Sequence, residues 1–316
     1  MTRAAAGAPR VPALRPVLKW AGGKRQLLPS LRPYYPRSFA RYIEPFVGSG
    51  AVFLDLVNAG RTAGHDVRLS DINADIIGCY RAIRDTVDEV IAALWVLDGG
   101  HRAHPREHFY EVRDGRFNPA RRVVHAAPHP EAAYTPELAA MLIYLNRTGY
   151  NGLFRLNSHG AFNVPAGRYG SVRICDADNL RGLSAALREP SVSVEVQQFD
   201  EALAAATAGD FVYLDPPYAP MSATASFTSY TSAGFGVAQQ ESLQRQVIDL
   251  AGRGAQVLLS NSVAPDIRAL YEEDATVRRA GLLTRTVQAR RAINSRASRR
   301  GPVLEYLITN VPQRAV

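Results

Sequence analysis

Cysteine is nearly absent: Cys79 and Cys175 are the only two in 316 residues. Two thiols cannot supply a disulfide framework, so a reducing compartment is expected. Long apolar runs are missing too. No stretch approaches 18 consecutive apolar residues, which excludes a membrane-spanning helix, and no segment reads as a secretory signal. Acids are missing where bases are dense. Residues 1–16 combine Ala, Pro and Arg without one carboxylate. Three prolines there spoil an amphipathic targeting helix, so a disordered basic tail is expected. From Asn146 to Cys175 there are four arginines and no acid, and from Ala275 to Leu304 eight arginines and no acid.

What is present is an ordinary globular composition, 47% hydrophobic and 21% charged, enough for a sizeable core. Lys and Arg number 37 against 29 Asp and Glu, a formal charge of +8. With arginine gathered in two acid-free runs, a polyanionic partner is favoured over a merely solvated face.

The pattern predicts a strand over 41–47 that ends in the turn Gly48-Ser49-Gly50, then a helix over 51–59 stopped by Gly60. A second strand, 66–69, runs into Ser70-Asp71, and a helix follows from about 74 to 84. This βαβα start implies a mostly parallel sheet with helices on its faces. The rhythm breaks over about 87–190, which shows helical patches such as 136–145 and a loop rich in Gly, Asn and Arg. It is expected to be an inserted domain, leaving 17–86 and 191–316 as one α/β unit. Strands are expected again at 191–196, 211–214, 255–259, near 276–283 and at 303–309, with a helix at 237–252. No internal repeat is visible.

Three clusters carry chemistry. Glu44-Pro-Phe-Val-Gly-Ser-Gly50 follows the first strand, where glycines let backbone amides approach a ligand at the carboxyl edge of an open sheet. It is a poor dinucleotide fingerprint, because Phe53 stands at the third glycine position, and no Lys-Ser or Lys-Thr makes it a phosphate loop. Asp71, 21 residues past Gly50, sits where a carboxylate accepts the hydroxyls of a ribose. Together they favour a nucleoside-bearing cofactor without a pyrophosphate. Asp215-Pro216-Pro217-Tyr218 follows a short buried strand. The prolines stiffen the turn, and the Asp215 carboxylate and the Pro216 carbonyl can accept both hydrogens of an exocyclic amine. Tyr218 offers a face for a stacked base. Lys19-Trp20-Ala21-Gly22-Gly23-Lys24 puts an aromatic between two lysines beside paired glycines. His101, His104 and His108 suggest zinc, but no cysteine is near, and no metal is expected.

These motifs, with Asp71-Ile72-Asn73, Asn146-Arg-Thr-Gly-Tyr-Asn-Gly-Leu-Phe-Arg155, Phe162-Asn-Val-Pro165 and Gly167-Arg-Tyr169, resemble the Dam family of DNA adenine-N6 methyltransferases from about Leu18 to Thr309. The resemblance implies a Rossmann-like, S-adenosylmethionine-dependent fold with an inserted, mainly helical target-recognition domain. It implies a cofactor site of Trp20, Ala21, Gly22, Gly23, Lys24, Glu44, Pro45, Phe46, Gly48, Ser49, Gly50, Asp71, Ile72, Asn73, Phe199, Asp200 and Asp215. Asp215, Pro216, Pro217 and Tyr218 would hold the target adenine, flipped out of the duplex. The loop Ala219 to Phe235 would close over it. Double-stranded DNA would meet Lys19, Tyr150, Asn151, Leu153, Arg155, Asn157, Asn163, Pro165, Arg168, Tyr169, Arg290 and Arg291, within GATC or a related GAT-containing site. A cytoplasmic, nucleoid-associated setting and a cognate restriction endonuclease are further expectations. Residues 100–134 depart from the family pattern, and 285–300 match it only loosely in spacing. N4-cytosine enzymes more often have Ser where Asp215 stands. A DNA-binding module without catalysis would not need both Asp71 and Asp215.

Overall fold

The structure is a computed structural model that describes residues 12–20, 22–218, 235–290 and 302–314. Its centre is a seven-stranded sheet of order β3-β2-β1-β4-β5-β7-β6. The strands are β1 (Arg41–Glu44), β2 (Asp66–Asp71), β3 (Val192–Val196), β4 (Phe211–Leu214), β5 (Gln256–Ser262), β6 (Leu283–Arg290) and β7 (Pro302–Thr309). β1 to β5 pair in parallel, while β7 runs antiparallel to β5 and β6 antiparallel to β7.

Apolar alternation buries both faces. Tyr42, Phe211, Tyr213, Leu258 and Leu307 pack into one core, and Ile43, Val212, Leu214, Val257, Leu259 and Ile308 into the other. Side chains of period two leave a strand on opposite faces, so each needs its own helical cover. Helices Ala74–Ala103, Pro136–Thr148 and Ala177–Leu187 contribute to the first core. Helices Phe199–Ala204 and Val237–Gly252 contribute to the second. The fold is thus Rossmann-like, with β1 and β4 at the point where the strand order reverses and their carboxyl ends on one edge.

Between β2 and β3 lie mostly helices. The helix Ala74–Ala103 does not stop near 84 but carries on past a single non-helical residue, Thr86, whose hydroxyl donates to the Ala82 carbonyl. Such back-bonding bends helices. Helix Pro105–Tyr110, a π-helical turn Glu111–Phe117 and helix Asn118–His125 follow. Helix Pro136–Thr148 starts on a proline behind Thr135, whose hydroxyl accepts from Leu138 N, and nearly all its residues are buried.

Two expectations need correction. The segment 276–283 is not a strand: Asp274 caps a helix, Ala275–Arg279, by accepting from Thr276 N, and β6 begins only at Leu283. The expected tail is docked from its far end inward. Asn58 takes both peptide groups of Leu14, Asn179 takes both of Arg15, and Val17 and Leu18 are buried. Residues 1–11 lie outside the described residues.

At the opposite edge of the sheet Asp210 is fully buried before β4. Arg41 grips it through Nε (3.0 Å) and Nη2 (2.5 Å), with Thr207 N at 2.8 Å. Removing one partner of such a pair strands a buried charge. Arg41→Ala is expected to lower the unfolding free energy by about 2–4 kcal/mol. Urea titration checks it, and a change below about 1 kcal/mol would show that Asp210 is satisfied without Arg41.

Candidate active site and recognition surface

The carboxyl edge gathers three acids. Glu44 ends β1, Asp71 ends β2 and Asp215 follows β4. Glu44 is buried and accepts from the Tyr42 hydroxyl at 2.8 Å. Burial pushes its pKa up to about 8 against that hydrogen bond, and the nearby charges of Asp215 and Asp71 push the same way. Burial likewise raises Asp71 to about 6. Each Asp71 oxygen already accepts one backbone N–H, Oδ2 from Gly48 and Oδ1 from Asn73, both at 3.0 Å. The Ile72 N–H also favours its charged form, and of the roughly four acceptor sites of a carboxylate at least one remains for a hydroxyl.

Gly48 (φ 46°) and Gly50 (φ 65°) take the left-handed conformation that side chains disfavour. A Cβ on Gly48 would lie 3.0 Å from Cδ1 of Trp20, and Tyr80 donates to the Gly48 carbonyl at 3.0 Å. Phe46 stacks on Phe199 (5.5 Å between centroids) and meets Phe235 edge-on. Ser49 and Asn73 are buried, and Ile72 is exposed. Asn73 caps the following helix by accepting from Asp75 N. Asp200 opens the helix Phe199–Ala204, where Phe199 joins the aromatic group around Phe46.

Asp215 is pushed up to about 6 by burial, opposed by the charge and hydrogen bond of Lys24. Lys24 Nζ lies 2.6 Å from Asp215 Oδ1, with the lysine side chain 4% exposed and the aspartate 20%. Ser260 donates to the same oxygen at 3.2 Å. The Lys24 ammonium also sits 4.6 Å from the centre of the Tyr218 ring and donates to the Gly22 carbonyl. Tyr218 donates to Glu305 at 2.7 Å, and Gln240 donates to the Pro217 carbonyl at 3.0 Å. Pro216 is buried between them. Glu305, Ser260 and Gln240 carry no motif signature and were not foreseen. Their one hint is that Ser260 ends a buried strand whose carboxyl end faces the same edge.

The segment expected to meet DNA forms a short hairpin. Asn157 N donates to Ala161 O, and Asn163 N to Arg155 O. Gly152, Phe154, Phe162 and Val164 are buried, while Tyr150, Arg155, Asn157 and Pro165 are exposed and Leu153 and Asn163 half-exposed. Alternation thus brings most of the expected DNA contacts to one face. Arg155 Nε donates to Asn163 Oδ1 at 2.8 Å. The Asn157 side chain accepts from His159 N and Ala161 N, which commits its oxygen to the turn. Asn151 (φ 55°) and Gly152 (φ 63°) carry the bend after Tyr150.

Lys19 crosses this bend. A Cβ on Gly152 would lie 2.5 Å from Lys19 Cδ. Lys19 Nζ is 5.0 Å from the centre of the Tyr169 ring, and Tyr169 donates to Gly149 O. Asn146 accepts from Lys19 N and donates to both Lys19 O and Gly152 O. Trp20 stacks on Phe154 at 5.4 Å. Arg168 is exposed at the foot of the hairpin. Ala21, Arg291, the Arg290 side chain and the segment 219–234 lie outside the described residues. His101 bonds Tyr144, His108 bonds Glu111 and His125 bonds Asp75. Among the described residues no three His, Cys, Asp or Glu converge as a metal site.

An open, mostly parallel sheet with a glycine turn, a buried acid edge and a proline-stiffened turn at its carboxyl end is the architecture of a Rossmann-like transferase. The chain belongs to the D12 class N6 adenine-specific DNA methyltransferases, whose family profile matches residues 20–288. It is an enzyme that moves a methyl group from a methyl donor to N6 of adenine in DNA. It is 35% identical over 301 residues to the type II methyltransferase M1.LlaDCHI of Lactococcus lactis subsp. cremoris, covering 94% of this chain and 95% of that one. To the type II methyltransferase M.MjaIII of Methanocaldococcus jannaschii it is 36% identical over 311 residues, covering 94% and 99%. To the DNA adenine methylase of Escherichia coli K12 it is 34% identical over 305 residues, covering 94% and 96%.

The ion pair makes a prediction. Lys24 lowers the Asp215 pKa, so Lys24→Met raises it further above 6 and protonates the carboxyl at neutral pH. The acidic limb of the pH profile of methyl transfer is expected to move to higher pH. A limb that stays where it was would remove Lys24 from control of Asp215.

Proposed function

We propose that the methyl donor is S-adenosylmethionine, that Asp215 to Tyr218 hold the flipped adenine, and that the hairpin face reads a GATC or related GAT-containing site. One observation carries this reading. The segment Lys19–Lys24 touches the hairpin through Lys19 and Trp20, the glycine turn through Trp20, and Asp215 through Lys24. Recognition, cofactor edge and acceptor turn therefore meet in one place.

The residues suit such a cofactor. Three acids face one lysine at this edge, and two of them press on the third electrostatically, an imbalance that a cation relieves. Asp71 keeps acceptor capacity beyond its backbone donors, which a ribose hydroxyl can use. Glu44, the glycine turn, Phe46, Asp71 and Phe199 would hold the group. When bound it supplies an electrophilic methyl carried on a sulfonium.

The protein's own part is orientation. Lys24 and Ser260 engage Asp215 Oδ1, which leaves Oδ2 for one amine hydrogen, and the Pro216 carbonyl takes the other. Holding both draws the nitrogen lone pair out of conjugation with the ring. Above about pH 6 Asp215 is ionised and can carry the proton that the amine sheds. Tyr218, tethered to Glu305, supplies the stacking face. In the groove, Arg155 suits guanine O6 and N7, Lys19 a second guanine, and Leu153 and Pro165 a thymine methyl, while Tyr150 fills the gap left by the adenine. The segment 87–190 serves as recognition domain on the scaffold of 17–86 and 191–316. The relatives named as type II methyltransferases support a cognate endonuclease as partner.

Two measurements test this. Asp215→Ala is expected to cut turnover by more than tenfold while DNA binding survives; retention of more than a tenth of the rate would discard the acceptor role. Plasmid methylated in vitro and digested with endonucleases blocked by methylated GATC is expected to resist cutting. Full cutting, with methyl groups incorporated elsewhere, would overturn the site and leave the adenine chemistry standing.

A further inference from the structure

The hairpin is two extended arms joined by isolated bridges at Gly149–Ala166 and Leu156–Phe162, and a pair that small is marginally stable alone. Its inner edges pair with each other: Asn163 N and Ala161 O point to the outgoing arm, and Tyr150 N reaches Pro165 O. The returning arm therefore turns the Phe162 peptide groups and the Val164 carbonyl outward, where a third strand would normally sit. Gly160, in the turn (φ 74°), gives its N–H back to Asn157 O and leaves its carbonyl free to accept from elsewhere. No strand among the described residues sits there. Instead, three side chains from the π-helical turn and the helix after it take those groups one by one. Arg121 Nη1 donates to Gly160 O at 2.6 Å. Asn118 accepts from Phe162 N at 2.8 Å and donates to Phe162 O at 3.0 Å. Arg113 Nη1 donates to Val164 O at 2.9 Å.

Of these contacts, 162 and 164 keep the two-residue period of a strand, and Gly160 (φ 74°) closes the turn that feeds it. On the donor side the spacing is 113, 118 and 121. A π-helix widens the turn by a residue and is often found at functional sites; here Arg113 lies inside it and Asn118 just beyond. The ladder is also anchored. Arg121 is buried and gives Nε and Nη2 to Asp75, at 2.9 and 2.8 Å to Oδ2, and His125 and Tyr134 reach the same carboxylate. Arg121 and His125 hold the Asp75 carboxyl below the usual range against its burial. Asp75 lies four residues after Asp71, in the first turn of the helix capped by Asn73.

We propose that Arg113, Asn118 and Arg121 are specificity-positioning residues. They act as a side-chain substitute for a third strand and fix the Arg155–Asn163 face against the cofactor half through Asp75. The proposal rests on the hairpin being the DNA reader. None of the three is offered as touching DNA; their effect passes through the backbone of residues 160–164. A bidentate base contact discriminates only if the guanidinium is held in register with the base edge. A hairpin that shifts by about 1 Å loses that selectivity before it loses binding.

The test uses the full chain, a plasmid substrate and sequencing that maps methylated adenines. Asn118→Ala removes two hydrogen bonds without stranding a charge. It is expected to raise the share of methylation at sites differing by one base pair about fivefold, with methyl-donor affinity changed less than twofold. Amide exchange over 155–164 is expected to speed up about tenfold. Arg155→Ala is the reference. If Arg155→Ala leaves the site profile unchanged, the hairpin is not the reader and the functional reading falls. If Arg155→Ala relaxes the profile but Asn118→Ala does not, the positioning role is overturned. Arg113→Ala, which frees only Val164 O among the hairpin groups and otherwise loses the exposed contacts to Asp114 and Tyr110, stands in if Asn118→Ala does not fold. A wild-type profile from that variant, with faster exchange at 162–164, would equally overturn the proposal.

Discussion

The molecule turns on the course of six residues, Lys19 to Lys24. Lys19 and Trp20 have no regular structure, yet with Lys24 they join parts that are far apart in sequence. Trp20 is wedged between Phe154 and the Gly48 turn, and Lys24 is nearly buried against Asp215. An extended segment cannot satisfy its own peptide groups, so something else must. Asparagine does it repeatedly: Asn58 on Leu14, Asn179 on Arg15 and Asn146 on Lys19 each match one donor and one acceptor to a single residue's peptide groups. The side-chain amide has the geometry of a peptide, so the pairing mimics a strand neighbour. Asn58 belongs to the α/β scaffold, Asn146 and Asn179 to the segment between β2 and β3. The strap is thus sewn to both.

The acid edge is costly to build. Burying carboxylates disfavours their charged forms, and Glu44, Asp71 and Asp215 all show it. The differences among them are informative. Asp71 keeps two backbone amides and Asp215 keeps Lys24, so both remain ionised near neutrality. Glu44 has a phenol and no cation, and is raised furthest. On the proposed reading, the charge left at this edge suits a positively charged methyl donor. The tether from Tyr218 to Glu305 adds a fourth acid at the far wall, one that orients a ring instead of holding charge for the reaction.

Much of the scaffold was legible because burial leaves a period in the sequence. Phe211–Leu214 and Val237–Gly252 came out with the bounds the pattern implied. The place of the turn Asp215–Tyr218 after β4 was legible because two prolines after a buried strand have few structural alternatives. What was not legible depends on tertiary partners. Thr276 and Val277 suit a strand by propensity, but the Asp274 cap and Gly281 (φ 79°) make a helix and a stop. The helix from Ala74 outlasts its amphipathic signal because the rest of it packs on Pro136–Thr148, an element more than thirty residues later. The docking of Leu14 and Arg15 rests on Asn58 and Asn179, and no local pattern announces an asparagine that serves a distant backbone. Glu305 was silent for the same reason.

The two halves of the site are built by different rules, and the difference has a physical reason. Chemistry needs groups fixed to a fraction of an ångström, and strand ends in a seven-stranded sheet provide that without help. Sequence reading needs a protruding element narrow enough to enter a groove, and such an element cannot bring a sheet with it. The hairpin answers with strict alternation, Phe154, Phe162 and Val164 inward and Arg155, Asn163 and Pro165 outward, and with side chains in place of strands along its outer edge. Because its inner face packs on Trp20 and its bend on Lys19, the hairpin is coupled to the segment that carries Lys24. On the proposed reading, register on the DNA and the state of Asp215 are therefore constrained by one short stretch of backbone.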